Sequence, residues 1–295
     1  MFRSLIFLII FFTSPHVLAS DMDSTKKNIV NKISAGLSSA LENMIGGEGD
    51  TEVQIIAGED YHPEFSIMTV KPIAIHPSVD AWFVQLQLND TKIRGKSRLS
   101  TNTGIGYRKL SADKNYFTGA NVFLDYDEEG NTRASIGVEL RSSSFEALVN
   151  HFESISSGRT VGEYTERTLG GNDMSLIGKI PYLPWAKVIA THYEWDAEKN
   201  SKNSKGNNIS LEMVITPSVI VDLGYDDNDL SGSNNFAKIM FVYPPRKQVA
   251  ATTQLVSETA FPKIDMSLEL LSKVRRTNKQ VIESEGTGVV ISRLN

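Results

Sequence analysis

The chain has 295 residues, a formal net charge of -5 and no cysteine. That length suits one large all-β domain with tails. The acidic balance excludes a basic nucleic-acid footprint, and the lack of cysteine removes disulfides, thiol catalysis and thiolate metal sites together. No stretch reaches the ~18 consecutive apolar residues of a spanning helix, so a membrane protein of this sequence has to cross as a barrel.

Residues 1–19 read as a signal peptide: Arg3 supplies the positive charge, Leu5 to Phe12 the apolar stretch, and Val17-Leu18-Ala19 the small residues at a cleavage site. Residues 20–50 read as a periplasmic lead-in. It carries an amphipathic helix over 23–46, with Ile29, Val30, Ile33, Leu37, Leu41, Met44 and Ile45 at helical spacing and Gly46-Gly47 as the stop.

Residues 51–245 then read as a series of two-faced strands, near 52–59, 64–74, 81–89, 98–109, 116–126, 132–141, 145–154, 173–181, 186–195, 207–216, 218–225 and 235–243. The third shows the pattern: Trp82, Val84, Leu86 and Leu88 share one face, Gln85, Gln87 and Asn89 the other. Tight turns at 76–78, 111–114, 182–184 and 217–218 alternate with longer polar links around 90–97, 127–131, 155–172, 196–206 and 226–234. Apolar-out, polar-in alternation with short turns on one side and longer loops on the other predicts an all-β fold, a twelve-stranded antiparallel transmembrane β-barrel. An even strand number leaves both barrel ends on the periplasmic side.

Alternation also predicts a lumen. Asn102, Gly104, Gly106 and Arg108 oppose outward Thr101, Thr103, Ile105 and Tyr107; Asn121 and Asp125 oppose Val122 and Leu124; Arg133, Glu139 and Arg141 oppose Ala134, Ile136, Val138 and Leu140. A lone buried charge is costly, so Asp125 and Glu139 are expected to pair with Arg108, Arg133 or Arg141. Gly104, Gly106, Gly119 and Gly137 either let a threaded segment approach the wall or ease strand curvature. Tyr107, Tyr126, Trp195 and Tyr243, near strand ends, are expected in an aromatic girdle. The strands at 173–181 and 186–195 alternate less cleanly, leaving their facing open.

Several stretches together resemble the β-domain of inverse autotransporters, the intimin and invasin type, from about Leu41 to Ile282. They are Glu52-Val53-Gln54-Ile55-Ile56 with Glu64-Phe65-Ser66; Phe83-Val84-Gln85; Asn102 to Arg108, similar to an Asn-x-Gly-x-Gly-x-Arg strand; and Gly119 to Asp127 followed by Asn131-Thr132-Arg133. Tyr164, Glu166 and Arg167, then Gly171 and Asp173, resemble a loop motif of that family in which Thr168 replaces a proline. Met266 to Val274 with Arg275-Arg276-Thr277-Asn278 resembles its post-barrel linker. The resemblance implies a bacterial outer-membrane barrel surrounded by lipid. It also implies delivery by periplasmic chaperones and the barrel-assembly machinery, with residues 246–295 threading the lumen and ending in a short tail. No immunoglobulin-like passenger follows the linker within these residues, so adhesion transfers poorly and anchoring with tail display transfers best.

Two other functions compete: a small outer-membrane pore, and a surface protein whose loops bind a host or neighbour-cell ligand. A soluble β-sandwich is the bland alternative. We expect no enzyme, cofactor, metal or nucleic-acid partner. His151 and His192 lie on strands, and no nucleophile motif surrounds any serine. The acidic stretches at Asp125–Asn131 and at Asp226, Asp227 and Asp229 do not match a calcium loop and read as solvated tips. Lys199, Lys202 and Lys205 read as flexible surface.

Overall fold

The computed structural model describes residues 49–285 and 288–290, except 59–60, 77, 94–95 and 200–201. The expected signal peptide and lead-in helix lie outside the described residues. Among those residues no helix is long and apolar enough to cross a membrane.

Twelve antiparallel strands close into a barrel. They are β1 (Asp50–Gly58), β2 (Tyr61–His76), β3 (Asp80–Ile93), β4 (Lys96–Leu110), β5 (Tyr116–Asp127), β6 (Thr132–Ser142), β7 (Phe145–Ser154), β10 (Gly171–Ile180), β11 (Leu183–Trp195), β12 (Ser204–Thr216), β13 (Val219–Asn228) and β14 (Gly232–Tyr243). β1 pairs with β14 from Thr51↔Tyr243 to Gly58↔Phe236, so the sheet has no free edge. Between β7 and β10, a hairpin of β8 (Arg159–Val161) and β9 (Tyr164–Thr168) leaves the wall. It joins β15 (Ile282–Ser284) and β16 (Gly288–Val290) in a second, four-stranded sheet.

The strands run longer than expected. The predicted link at 90–97 is mostly strand, because β3 continues to Ile93 and β4 starts at Lys96; the link at 226–234 shrinks to three residues between Asn228 and Gly232. Asp226 and Asp127 are therefore buried strand residues, not solvated tips, and Lys205 lies on β12. The physical reason is that polar residues on these strand ends find partners inside the barrel. Asp127 accepts N–H groups from Glu129 and Asn131 and pairs with Arg98 at 3.2 Å. The two extended loops lie at 155–170 and 196–203.

The outer face is a continuous apolar surface. Trp82, Ile105, Val122, Leu124, Ile136, Val138, Val149, Leu176, Val188, Leu223 and Ile239 are all exposed. A water-soluble protein does not display so large a patch, whereas lipid demands it. That disposes of the soluble sandwich. Trp82 and Tyr107 stack on this face with centroids 4.8 Å apart. Trp195, expected in the girdle, is instead wholly buried, packed inward with Phe152, Leu169 and Tyr193. Its ring lies against Gly171, directly opposite in register, where a Cβ would come within 2.8 Å of the indole. Gly171 has φ +150°, so both its backbone and its missing side chain make this placement available.

Candidate functional site: the occupied lumen and its exit

After β14 the chain does not enter the barrel at once. Residues 244–265 stay at the short-turn end, where Ala251 N–H donates to Val214 O, Tyr182 N–H to Ala260 O, and the Trp185 indole to Leu255 O. Threading begins at a single 3-10 turn, Met266–Glu269, later than the expected start at 246. Met266 and Leu270 seal against Ala81, Leu110 and Phe117. Asp265 caps the turn; the Ser267 side chain and amide, with Lys114 nearby, hold its carboxyl below the usual carboxylate range.

From Leu270 to Gln280 the segment is extended inside the barrel, and the wall holds its carbonyls. Arg108 donates to Leu270 O (2.9 Å) and Ser272 O (2.5 Å), Arg141 to Lys273 O (2.8 Å), and Asn150 to Arg275 O (3.1 Å). Further along, Arg133 donates to Thr277 O (2.8 Å) and Asn102 to Asn278 O (2.8 Å), while the plug's own Gln280 side chain donates to Asn131 O of the wall (3.1 Å). In the other direction the amides of Val274 and Thr277 donate to Gln85 Oε1 (2.8 Å) and Asp173 Oδ2 (2.7 Å). A buried extended backbone has no internal partners, and these groups supply them.

Four plug cations meet carboxylates on the wall: Lys273 on Glu52 (2.5 Å), Arg275 on Glu212 (2.8 Å), Arg276 on Asp125 (2.7 Å), and Lys279 on Glu64. Asp125 also pairs with Arg133 (2.9 Å), and Glu139 with Arg108 (2.6 Å) and Arg141 (2.7 Å).

All nine predicted lumen residues are buried on the inward face: Asn102, Gly104, Gly106, Arg108, Asn121, Asp125, Arg133, Glu139 and Arg141. Five of them, Asn102, Arg108, Asp125, Arg133 and Arg141, touch the plug directly. The glycines face side chains of the wall: Gly119 faces Glu139 and Gly137 faces Asn150 and Asn121, while Gly104 and Gly106 face aromatic rings. A Cβ on Gly104 would lie 2.3 Å from the Phe123 ring, and one on Gly106 2.3 Å from the Phe83 ring. Gly104 and Gly106 leave room for aromatic rings to lie against the wall, not for the plug. Guanidinium groups then stack on the rings: Arg276 over Phe123 at 4.5 Å and Arg108 over Phe83 at 4.4 Å.

The predicted loop motif is likewise not a free loop. Tyr164, Glu166 and Arg167 form β9, and Gly171 and Asp173 open β10. Glu166 is buried under a two-point pairing with Arg98 (2.6 and 3.1 Å). Arg167 reaches Glu285 (3.3 Å) and Glu198 (3.5 Å). Asp173 takes both the amide and hydroxyl of Thr277 at 2.7 Å.

Sequence reasoning missed Glu52, Glu64, Gln85, Asn150 and Glu212 as plug partners. Glu212 stands between Leu211 and Met213, a period-2 signal that was available; Glu52 and Glu64 lie near strand ends, where polarity is ordinary. Beside the plug a polar cavity of about 80 Å³ remains, lined among others by Gln54, Gln87, Thr191, Asn208, Asp222 and Lys238. That is room for a few waters.

The sequence profile of the inverse autotransporter β-domain matches residues 13–278. The chain belongs to the inverse autotransporter β-domain family. The inverse autotransporter barrel is therefore a bacterial outer-membrane protein, set in lipid and built by the outer-membrane assembly route. A membrane-protein structure from work on in-meso crystallization superposes with a TM-score of 0.66 at 21% identity, covering 80% of this chain and 99% of its own. It shows the same fold. The KdgM porin in complex with disordered oligogalacturonate aligns at 0.46 with 6% identity, over 65% of this chain and 98% of its own. The NanC porin aligns at 0.44 with 14% identity, over 66% and 98%. These two superpose too loosely to bear on activity. No curated protein sequence matches the autotransporter barrel.

Proposed function

We propose that this barrel is a non-enzymatic anchor and translocator whose own C-terminal segment threads the lumen from the periplasmic short-turn end and emerges at the cell surface. The observation that carries the reading is the row of wall donors aimed at backbone carbonyls of residues 270–280, from Arg108, Arg133, Arg141, Asn102 and Asn150, beside the four ion pairs that hold the side chains. Donors aimed at carbonyls accept any extended chain, because every residue carries one. A conduit for unfolded polypeptide needs that tolerance; a solute pore does not. His151 and His192 point outward onto Asn172 and Asn207, and the reading gives them no catalytic role.

The test is an epitope tag after Asn295, probed with antibody on intact cells and on permeabilised cells. The reading expects binding on intact cells. A tag visible only after permeabilisation refutes it and leaves a barrel with a retained tail.

A further inference from the structure

Inside the lumen the grip combines donors to backbone carbonyls with four ion pairs, and at the loop end it changes character. There the emerging tail meets three contacts that depend on side-chain identity or strand register. Val281 is wholly buried in a socket of Phe152, Leu169, Tyr193 and Trp195. Residues Ile282, Glu283 and Ser284 pair with Thr168, Arg167 and Glu166 of β9, flanked by Leu169 N–H to Val281 O (2.8 Å) and Glu285 N–H to Thr165 O (3.0 Å). The Glu283 carboxylate is buried and accepts two consecutive amides of the 196–203 loop, Glu198 N–H at 2.9 Å and Lys199 N–H at 3.1 Å. Two adjacent amides converging on one carboxylate make a small anion-binding nest. Arg167, reaching Glu198 at 3.5 Å, ties the hairpin to that loop.

We propose that this rim is an arrest site: it binds an extended segment carrying an apolar residue followed two positions later by a carboxylate, and so fixes where the tail stops. The inference rests on the reading that the tail threads the lumen, and deepens it. The segment adds a strand to β9, as peptides add to exposed sheet edges elsewhere. Backbone pairing alone would tolerate a slip of two residues, since alternate side chains share a face. The socket and the nest exclude that slip: moving by two positions would place Lys279 or Glu283 where Val281 fits, and Val281 or Glu285 where Glu283 is held.

The absence of cysteine gives a clean test. Thr168 and Ile282 are directly opposed in a non-hydrogen-bonded pair of the β9–β15 ladder, so their Cα atoms should lie about 4.5 Å apart, within disulfide range. The full chain carrying T168C and I282C, with the tag after Asn295, is oxidised mildly in outer membranes and the crosslinking rate is measured. The parent pair is expected to crosslink. Adding Glu283→Ala or Val281→Ser is expected to slow crosslinking, roughly tenfold for the former, which strips a carboxylate from two amides. Glu283→Gln, which keeps the shape and one acceptor oxygen, is expected to fall between; it serves if the alanine variant fails to assemble. An unchanged rate in these variants, with the tag exposed on intact cells, overturns the arrest site and leaves threading intact. A parent pair that neither crosslinks nor exposes its tag overturns threading itself.

Discussion

Replacing Asp125 with alanine tests the plugged lumen most directly. Its carboxylate accepts from Arg133 Nε (3.0 Å) and Nη2 (2.9 Å), from Arg276 Nη1 (3.0 Å) and Nη2 (2.7 Å), and from Asn102 Nδ2 (2.7 Å). All three charged side chains are fully buried. Taken singly, charged hydrogen bonds contribute about 1.5–3 kcal/mol each, but simple addition overstates a shared network. The better guide is the cost of stripping one partner from a buried pair, about 3–5 kcal/mol, because here two guanidinium groups would be left facing each other without their counter-charge. Arg276→Ala should cost less, since Arg133 still neutralises Asp125. The double variant should cost clearly less than the sum of the two, with a coupling of about 0.5–3 kcal/mol. The assay is urea unfolding in lipid vesicles, followed by heat-modifiable gel mobility and tryptophan fluorescence, with midpoints extrapolated to water. A loss under about 1 kcal/mol for Asp125→Ala, or strict additivity with Arg276→Ala, would refute a plug that is ion-paired to the wall.

Ending the chain after Asp265 removes Lys273, Arg275, Arg276 and Lys279 and so takes one counter-charge each from Glu52, Glu212, Asp125 and Glu64. The full-length barrel should be nearly silent in a planar bilayer and the truncated one conducting and cation-selective; a silent or anion-selective truncation contradicts the geometry. Gly106→Val pushes a side chain into the Phe83 ring and should cost about 1–3 kcal/mol in the same unfolding assay, while a neutral result would mean the ring has room to move. Val138→Arg, on the lipid face near the middle of β6, should cost about 2–4 kcal/mol in vesicles; a cost near zero would mean that this face does not meet lipid.

Much of the barrel was legible because period-2 alternation is a direct image of a wall with lipid on one side and a polar interior on the other. β4 from Arg98 onward, β5 and β6 alternate, and their faces could be read residue by residue. Strand ends were not legible. At Asp127, Asp226 and Asn228 a polar residue in a strand looks like the same residue in a loop, and only the partners inside the barrel separate the two. Trp195 was misplaced for a related reason: an aromatic near a strand end suits the membrane interface, and what turned it inward was the glycine across the ladder, a long-range fact. The β9 motif was visible as a pattern, but its pairing with Ile282–Ser284 joins residues over a hundred positions apart, which no local reading reaches.

The polarity of the lumen follows from its occupant. An extended peptide satisfies none of its own backbone groups, and inside a barrel this narrow there is little water to do so. Replacing the buried charges of the wall with apolar side chains would spare the desolvation of each ion, yet it would strand the carbonyls of Leu270, Ser272, Lys273, Thr277 and Asn278, each at a cost of about 1–3 kcal/mol. The interior therefore has to offer donors for the same physical reason that the exterior has to withhold them: in the wall the strands pair their backbone groups along the closed ladder, and inside, the chain's own C-terminal segment arrives with few of its groups paired. The two-residue period of the β-strand meets both demands with one backbone, placing Ile136 and Val138 against lipid and Arg133, Glu139 and Arg141 in the lumen along a single strand.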